Sequence, residues 1–202
     1  MSRRDDLRRE KPTKKAKPRV LIVCEGKVTE PTYLHALNHL WGTKVVLDFN
    51  HKNSSPKQIV EKAAGAKKAA KRKKGVDANE DYDAIWCAFD RDEHLSVTEA
   101  LQQASANEIP VAYSNPNFEL WLLLHFQERT AVLTRQDTSR LCGQWMPGYV
   151  KTPDTSLLLP LLDGAIDRAI ALKNRQVEHG LLRQNPWTEV HDLVDEIRRL
   201  SR

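Results

Sequence analysis

Three carboxylates stand where a chain of this kind can use them. Glu25 follows the apolar run Arg19-Val-Leu-Ile-Val-Cys24, and Asp90 and Asp92 follow the run Asp83-Ala-Ile-Trp-Cys-Ala-Phe89. Such short, continuous apolar runs are what strands buried on both faces of a parallel sheet look like, and ligands of parallel sheets collect beyond the carboxyl ends of the strands. If these two strands are neighbours, the three carboxylates meet. Close carboxylates repel one another, so the cluster makes electrostatic sense mainly around a cation. Oxygen-only donors that leave room for water and phosphate oxygens suit Mg²⁺ or Mn²⁺ better than a closed Ca²⁺ cage. The chemistry expected of such a site is phosphodiester cleavage, in which the metal polarises the phosphate and a carboxylate such as Glu25 accepts a proton. An acidic loop alone is ordinarily a solvated turn; the Glu-Gly pair that ends the first strand shifts the reading toward a site.

The neighbours of these acids add to the pattern. Gly26 allows the backbone to turn closely after the strand, and Lys27 is placed to meet a phosphate. Glu30 opens the next helix, either as a further ligand or proton acceptor or as an acid that favours the helix dipole. Asn115, Asn117 and Glu119 follow another apolar run, and Glu119 is expected as an added metal ligand or proton relay, because an unpaired acid among so many apolar residues is costly. The alternative is that Asn117 caps the helix and Glu119 favours its dipole. His125, six residues beyond Glu119, reads as a satisfied core histidine. Lys151 is a candidate phosphate contact, whereas Tyr149 reads as a surface turn residue and His191 has no identifiable partner.

Alternating elements must position these residues. Helical spacing appears from Thr29 to Trp41, with Pro31 acceptable in its first turn. Lys44-Val-Val-Leu-Asp-Phe49 reads as a second strand, and Ser54 or Ser55 caps a Lys- and Ala-rich helix that runs to about Lys74. After the Asp83–Phe89 strand come a helix from Ser96 to Asn107, a strand from Ile109 to Tyr113 and an apolar helix from Phe118 to Phe126. The order predicts a mostly parallel sheet covered by helices. No strand is expected after Gly148; two amphipathic helices are, over Leu157–Glu178 and Thr188–Leu200, the second capped by Thr188.

Composition bounds the reading. The 202 residues, 40% hydrophobic, suffice for one α/β domain with a small helical appendage. No apolar run nears the roughly 20 residues of a membrane helix, and the start is charged, so a cytoplasmic protein is expected. Cys24, Cys87 and Cys142 have no paired spacing and read as small buried hydrophobes. The net charge of +5 is unevenly spread: residues 1–19 carry nine basic against three acidic residues, and residues 52–74 nine against one. Both are candidate phosphate-neutralising surfaces on an otherwise acidic domain, and solvated charge runs are the plain alternative. Residues 1–18 read as a mobile basic tail.

An apolar strand ending in Glu, then a later strand ending in Asp-x-Asp, resembles the Toprim domain of topoisomerases, primases and overcoming-lysogenization-defect nucleases. More narrowly, VLIVCEGKVTEPTYL, IWCAFDRDEH, YSNPNFELWLLLHF, GYVK and NPWTEVHDLV, in that order, resemble the RloB family over nearly all of residues 19–200. The resemblance implies a Toprim-like α/β domain over 19–150, with a C-terminal helical extension over 151–202 packed on it. It implies a metal-dependent nuclease acting on DNA or RNA as the effector of a prokaryotic anti-phage or restriction-associated system, with an ATPase partner. Carried over by residue, Glu25, Asp90 and Asp92 match the Toprim acids. His94 stands where a further acid is common, which leaves open whether Glu93 substitutes or His94 contributes, and whether one metal binds or two. Lys27, Lys67, Lys68, Lys71, Arg72 and Lys151 are the expected nucleic-acid contacts, and backbone rather than base recognition is expected because aromatic residues are not interleaved with the basic runs. A non-catalytic regulatory or nucleic-acid-binding subunit is the alternative, and homo-oligomers are open.

Overall fold

The strands alternate their side chains between two apolar layers, and that alternation determines which residues reach the carboxyl edge together. A computed structural model describes residues 17–50, 55–73, 82–91 and 97–202. The chain runs β1 (Arg19–Cys24), α1 (Thr29–Leu40), β2 (Val46–Asn50), α2 (Pro56–Lys73), β3 (Ala84–Asp90), α3 (Val97–Ala106), β4 (Val111–Asn115) and α4 (Glu119–Leu124). It continues through α5 (Arg135–Trp145), α6 (Thr155–Leu158), a 3-10 turn (Leu159–Leu161), α7 (Leu162–Glu178), β5 (Trp187–Thr188) and α8 (Val190–Leu200).

The five strands lie in the order β2-β1-β3-β4-β5. β1 pairs in parallel with β2 and β3, and β3 with β4, so the expected α/β class and parallel core are present. Val20, Ile22 and Cys24 face a large layer with α1, α4, α7 and α8, while Leu21 and Val23 face a smaller one with α2 and α3. In β3, Trp86 and Ala88 go to the first layer and Cys87 and Phe89 to the second. The helices therefore cover both faces, and the chain reverses direction across the sheet between β1 and β3. That reversal is the place where open α/β sheets form their ligand crevice.

Several elements differ from the expectation. A strand exists after Gly148: Trp187 and Thr188 pair antiparallel with Asn115 and Ser114, and two residues are too few to reveal a period in sequence. Thr188 is thus a strand residue, though its hydroxyl still accepts from the Val190 N–H, at 3.3 Å. The helix expected to run from Leu157 is broken by the turn at Pro160, which lacks an N–H to continue the ladder. Helix α5 was not expected at all. Its start carries a reciprocal capping box, in which the Asp137 N–H donates to the Thr134 hydroxyl and the Asp137 carboxylate accepts from the Thr134 N–H.

The three cysteines are buried and unpaired with one another, as expected of small hydrophobes. His125 is a satisfied core residue: its Nε2 shares a hydrogen bond of 2.9 Å with the Tyr33 hydroxyl, and its Nδ1 one of 3.0 Å with the Trp121 carbonyl. His191 is also buried, with Nε2 3.4 Å from Asp192. Among the described residues no helix is long and apolar enough to cross a membrane. Residues 1–16, most of the expected basic tail, lie outside the described residues.

Candidate functional site at the carboxyl edge of the sheet

Because β1 and β3 are paired neighbours, their carboxyl ends bring Glu25 and Asp90 to one place; the Glu25 N–H itself donates to the Ala88 carbonyl, at 3.2 Å. A cleft of about 400 Å³ opens there, lined among others by Glu25, Glu30, Asp90 and Glu119. Two elements deliver the additional acids. The first turn of α1 contributes Glu30, which is 7% exposed, and the first residue of α4 is Glu119, which is 2% exposed. The acids lie inside, whereas Lys27, Arg135 and Lys151 are exposed on the walls of the same cleft.

Gly26 has a more specific role than a flexible turn. A Cβ at this position would overlap the Glu30 carboxylate, and the Gly26 N–H donates to Glu30 Oε1 at 3.2 Å. Any side chain here displaces Glu30 from the cleft. Arg135, carried by the unexpected helix α5, places Nη2 4.0 Å from Asp90 Oδ2. The sequence reading missed it; the Thr134-x-x-Asp137 pattern was the signal that could have located it.

Burial and mutual repulsion act in the same direction on two of the acids. Burial raises the Asp90 carboxyl well above the usual carboxylate range, and the charges of Glu30, Glu119 and Glu25 raise it further, against Arg135. Burial also raises Glu30; bonds from backbone N–H groups, including that of Gly26, oppose this, while Glu119 and Glu25 reinforce it. Electrostatic strain of this kind is relieved by a cation. The donor set, all carboxylate oxygen, fits a hard divalent ion, with Glu25 and Asp90 flanking the crevice and Glu30 beside them. Among the described residues, no three His, Cys, Asp or Glu side chains are gathered into a ready metal cluster. Asp92, expected as the third ligand, lies outside the described residues, as do Glu93 and His94 and the side chains of Lys71 and Arg72.

Glu119 is partnered within the protein through one of its two oxygens. Its Oε1 accepts from Lys151 Nζ at 2.7 Å and from the Tyr149 hydroxyl at 3.2 Å, so this oxygen is taken by the protein rather than turned to a metal. Tyr149 is accordingly not a mere turn residue. Burial works against the Lys151 charge, but the hydrogen bond and charge of Glu119 prevail and hold its pKa above the usual lysine value. The loop is tied down further by the Thr29 hydroxyl, which donates to the Lys151 carbonyl at 2.7 Å. Asn117 does not cap α4: its side-chain oxygen accepts from the Thr138 hydroxyl at 2.9 Å and so fastens α5 to α4.

Two of the expected nucleic-acid contacts sit elsewhere. α2 begins after the carboxyl end of β2 and leads to the amino end of β3, so its later residues lie at the opposite edge of the sheet. There the Lys67 ammonium donates to the carbonyls of Asn107 and Glu108, both at 2.8 Å, closing the end of α3. Lys68 lies beside the same segment. Lys67 and Lys68 are therefore remote from the acids, and only Lys27 and Lys151 of the described candidates border them.

A family profile described as RloB-like protein matches residues 20–197 of the chain. No curated protein and no solved structure matches it.

Proposed function

From the premise that the chain belongs to the RloB-like protein family, and from the layout of the cleft, we propose that it is a metal-dependent nuclease that hydrolyses phosphodiesters of DNA or RNA. The observation that carries this reading is the arrangement of charge: buried and half-buried acids inside the crevice between β1 and β3, and exposed cations around it. Such a layout suits a small cation within and a polyanion across the mouth.

In this reading Glu25 and Asp90, with Asp92 two residues on, hold the metal, and Glu30 is the nearest proton acceptor. A bound Mg²⁺ or Mn²⁺ supplies Lewis acidity toward a phosphoryl oxygen. Lys27, Arg135 and Lys151 bind and orient the phosphate, with Lys151 held in place by Glu119 and Tyr149. Burial raises the Glu30 carboxyl above the usual carboxylate range, a direction that makes it a better proton acceptor. The role as effector of a prokaryotic defence system with an ATPase partner comes from the sequence resemblance and is proposed on that ground alone.

One observation favours a second reading, a non-catalytic regulatory subunit. Lys151 and Arg135 already offset part of the acidity at Glu119 and Asp90. The two readings separate in one experiment: purified protein is incubated with mixed DNA and tRNA substrates in Mg²⁺, Mn²⁺ or EDTA, beside Glu25→Ala and Asp90→Ala variants shown to be folded. Metal-dependent cuts lost in both variants support the nuclease. Absence of cutting under every condition removes the autonomous nuclease and leaves the regulatory subunit.

A further inference from the structure

The sheet edge that bears the acids has a second cleft, of about 420 Å³, on its other side. Strand alternation sends Asp90 and Arg91 to opposite faces as β3 ends, so Asp90 lines the first cleft and Arg91 the second. Tyr113 and Asn115 of β4 line it too, as does Arg183 from the loop before β5. Among the described residues that line this cleft none is acidic, in contrast to the four carboxylates across the edge.

Arg183 is held in place on two sides. Its guanidinium donates through Nε and Nη2 to Oε1 of the buried Glu189, at 3.2 and 3.1 Å. Its backbone is left-handed, with φ of 58°, a conformation that non-glycine residues adopt at a cost. Its carbonyl accepts from the Asn115 amide at 3.0 Å. Arg91 follows the last residue of β3 and lines the cleft beside Tyr113. Beside the two guanidinium groups lies apolar surface, formed by Leu101 and by Leu182, which is 63% exposed. Guanidinium groups recognise phosphate oxygens, and apolar side chains accept the face of a base or sugar. The volume lies within the range of about 300–1,000 Å³ typical of small-molecule sites.

We propose that this cleft binds one nucleotide of a nucleic-acid strand, its phosphate against Arg91 and Arg183 and its base or sugar against Leu101 and Leu182. The strand then crosses the β3–β4 edge between the two clefts, so that the nucleotide held here flanks the phosphodiester presented to Asp90. The proposal rests on the nucleolytic reading for its substrate class.

The test is binding of fluorescently labelled single-stranded DNA and RNA, about ten nucleotides long, measured in EDTA by anisotropy over a range of salt concentrations. The proteins are wild type, Arg91→Gln, the double variant Arg183→Gln/Glu189→Gln, which leaves no buried carboxylate behind, and Asp90→Asn, each checked by thermal melting. Each arginine variant is expected to weaken binding about tenfold and to reduce the log–log salt slope by about 1, while Asp90→Asn binds at least as tightly as wild type. Wild-type binding by the folded arginine variants, or no oligonucleotide binding by the wild type, overturns the proposal. So does an affinity for free mononucleotide equal to that for the strand. Failure of the nuclease reading looks different: arginine-dependent binding persists without metal-dependent cleavage.

Discussion

The two ends of the sheet handle charge in opposite ways. At the amino end, charges are matched by local partners: Arg19 pairs with Asp48 at 2.6 Å, and the Lys67 ammonium sits on the carbonyls that end α3. At the carboxyl end, Glu25, Glu30, Asp90 and Glu119 share one crevice, and repulsion among them adds to burial in raising Asp90 and Glu30. Charges at the first end are accounted for by the fold. Those at the second load it, and the proposed function assigns these acids an external cation. Glu119 lies between the two cases, an acid of the crevice that the protein neutralises with its own lysine.

The largest expected effect comes from breaking the loaded end. Asp90→Asn should lower metal-dependent cleavage roughly 10³-fold, about 4 kcal/mol in transition-state stabilisation. In EDTA the same variant should melt above wild type, because a half-buried, repelled charge has gone. Added Mg²⁺ should raise the melting temperature of wild type and not of the variant. Calorimetry in EDTA and in Mg²⁺ measures both shifts, and a variant that melts lower in EDTA removes the claim of electrostatic strain.

A smaller effect tests a buried titratable group that belongs to packing rather than to the crevice. Burial depresses the His125 imidazole from 6.5 to about 4, so the unfolded chain takes up its proton first. Its contribution is complete above pH 6.5 and is lost as pH falls toward 4, by about 3 kcal/mol. Urea unfolding of wild type and His125→Gln between pH 7 and 4 should show that slope in wild type and a flatter one in the variant.

Next comes the neutralised acid. Lys151→Met leaves Glu119 buried without its cation and should cost about 2 kcal/mol, below the usual figure for a buried pair because the lysine side chain is 60% exposed. Adding Glu119→Gln should recover most of that stability while cleavage stays impaired. The smallest effect belongs to the amino end: Lys67→Ala should cost about 1 kcal/mol or less and leave cleavage at the wild-type rate. A large loss of nucleic-acid binding in this variant would break the contrast between the two ends.

How much was legible beforehand follows from the range of the interactions involved. Glu25 and Asp90 were readable because each ends a continuous apolar run, a local pattern with a single structural meaning. Arg135 was not, since its relation to Asp90 depends on where α5 packs. Lys67 and Lys68 were readable as basic, but a basic run does not show which edge of the sheet its helix reaches. Glu119 was recognised as an acid in need of a partner, yet that partner is supplied 32 residues later by Lys151, a separation no periodicity encodes.

By itself, then, the sequence determined the alternation of strands and helices, the acids at two strand ends and the burial of the cysteines and His125, all consequences of local hydrophobic pattern. Only the tertiary structure decided that β1 lies between β2 and β3, that two residues near the C-terminus form a fifth strand, and that Asp90 and Arg91 open onto different clefts. Those outcomes depend on which distant surfaces bury one another, and that is a property of the packed whole.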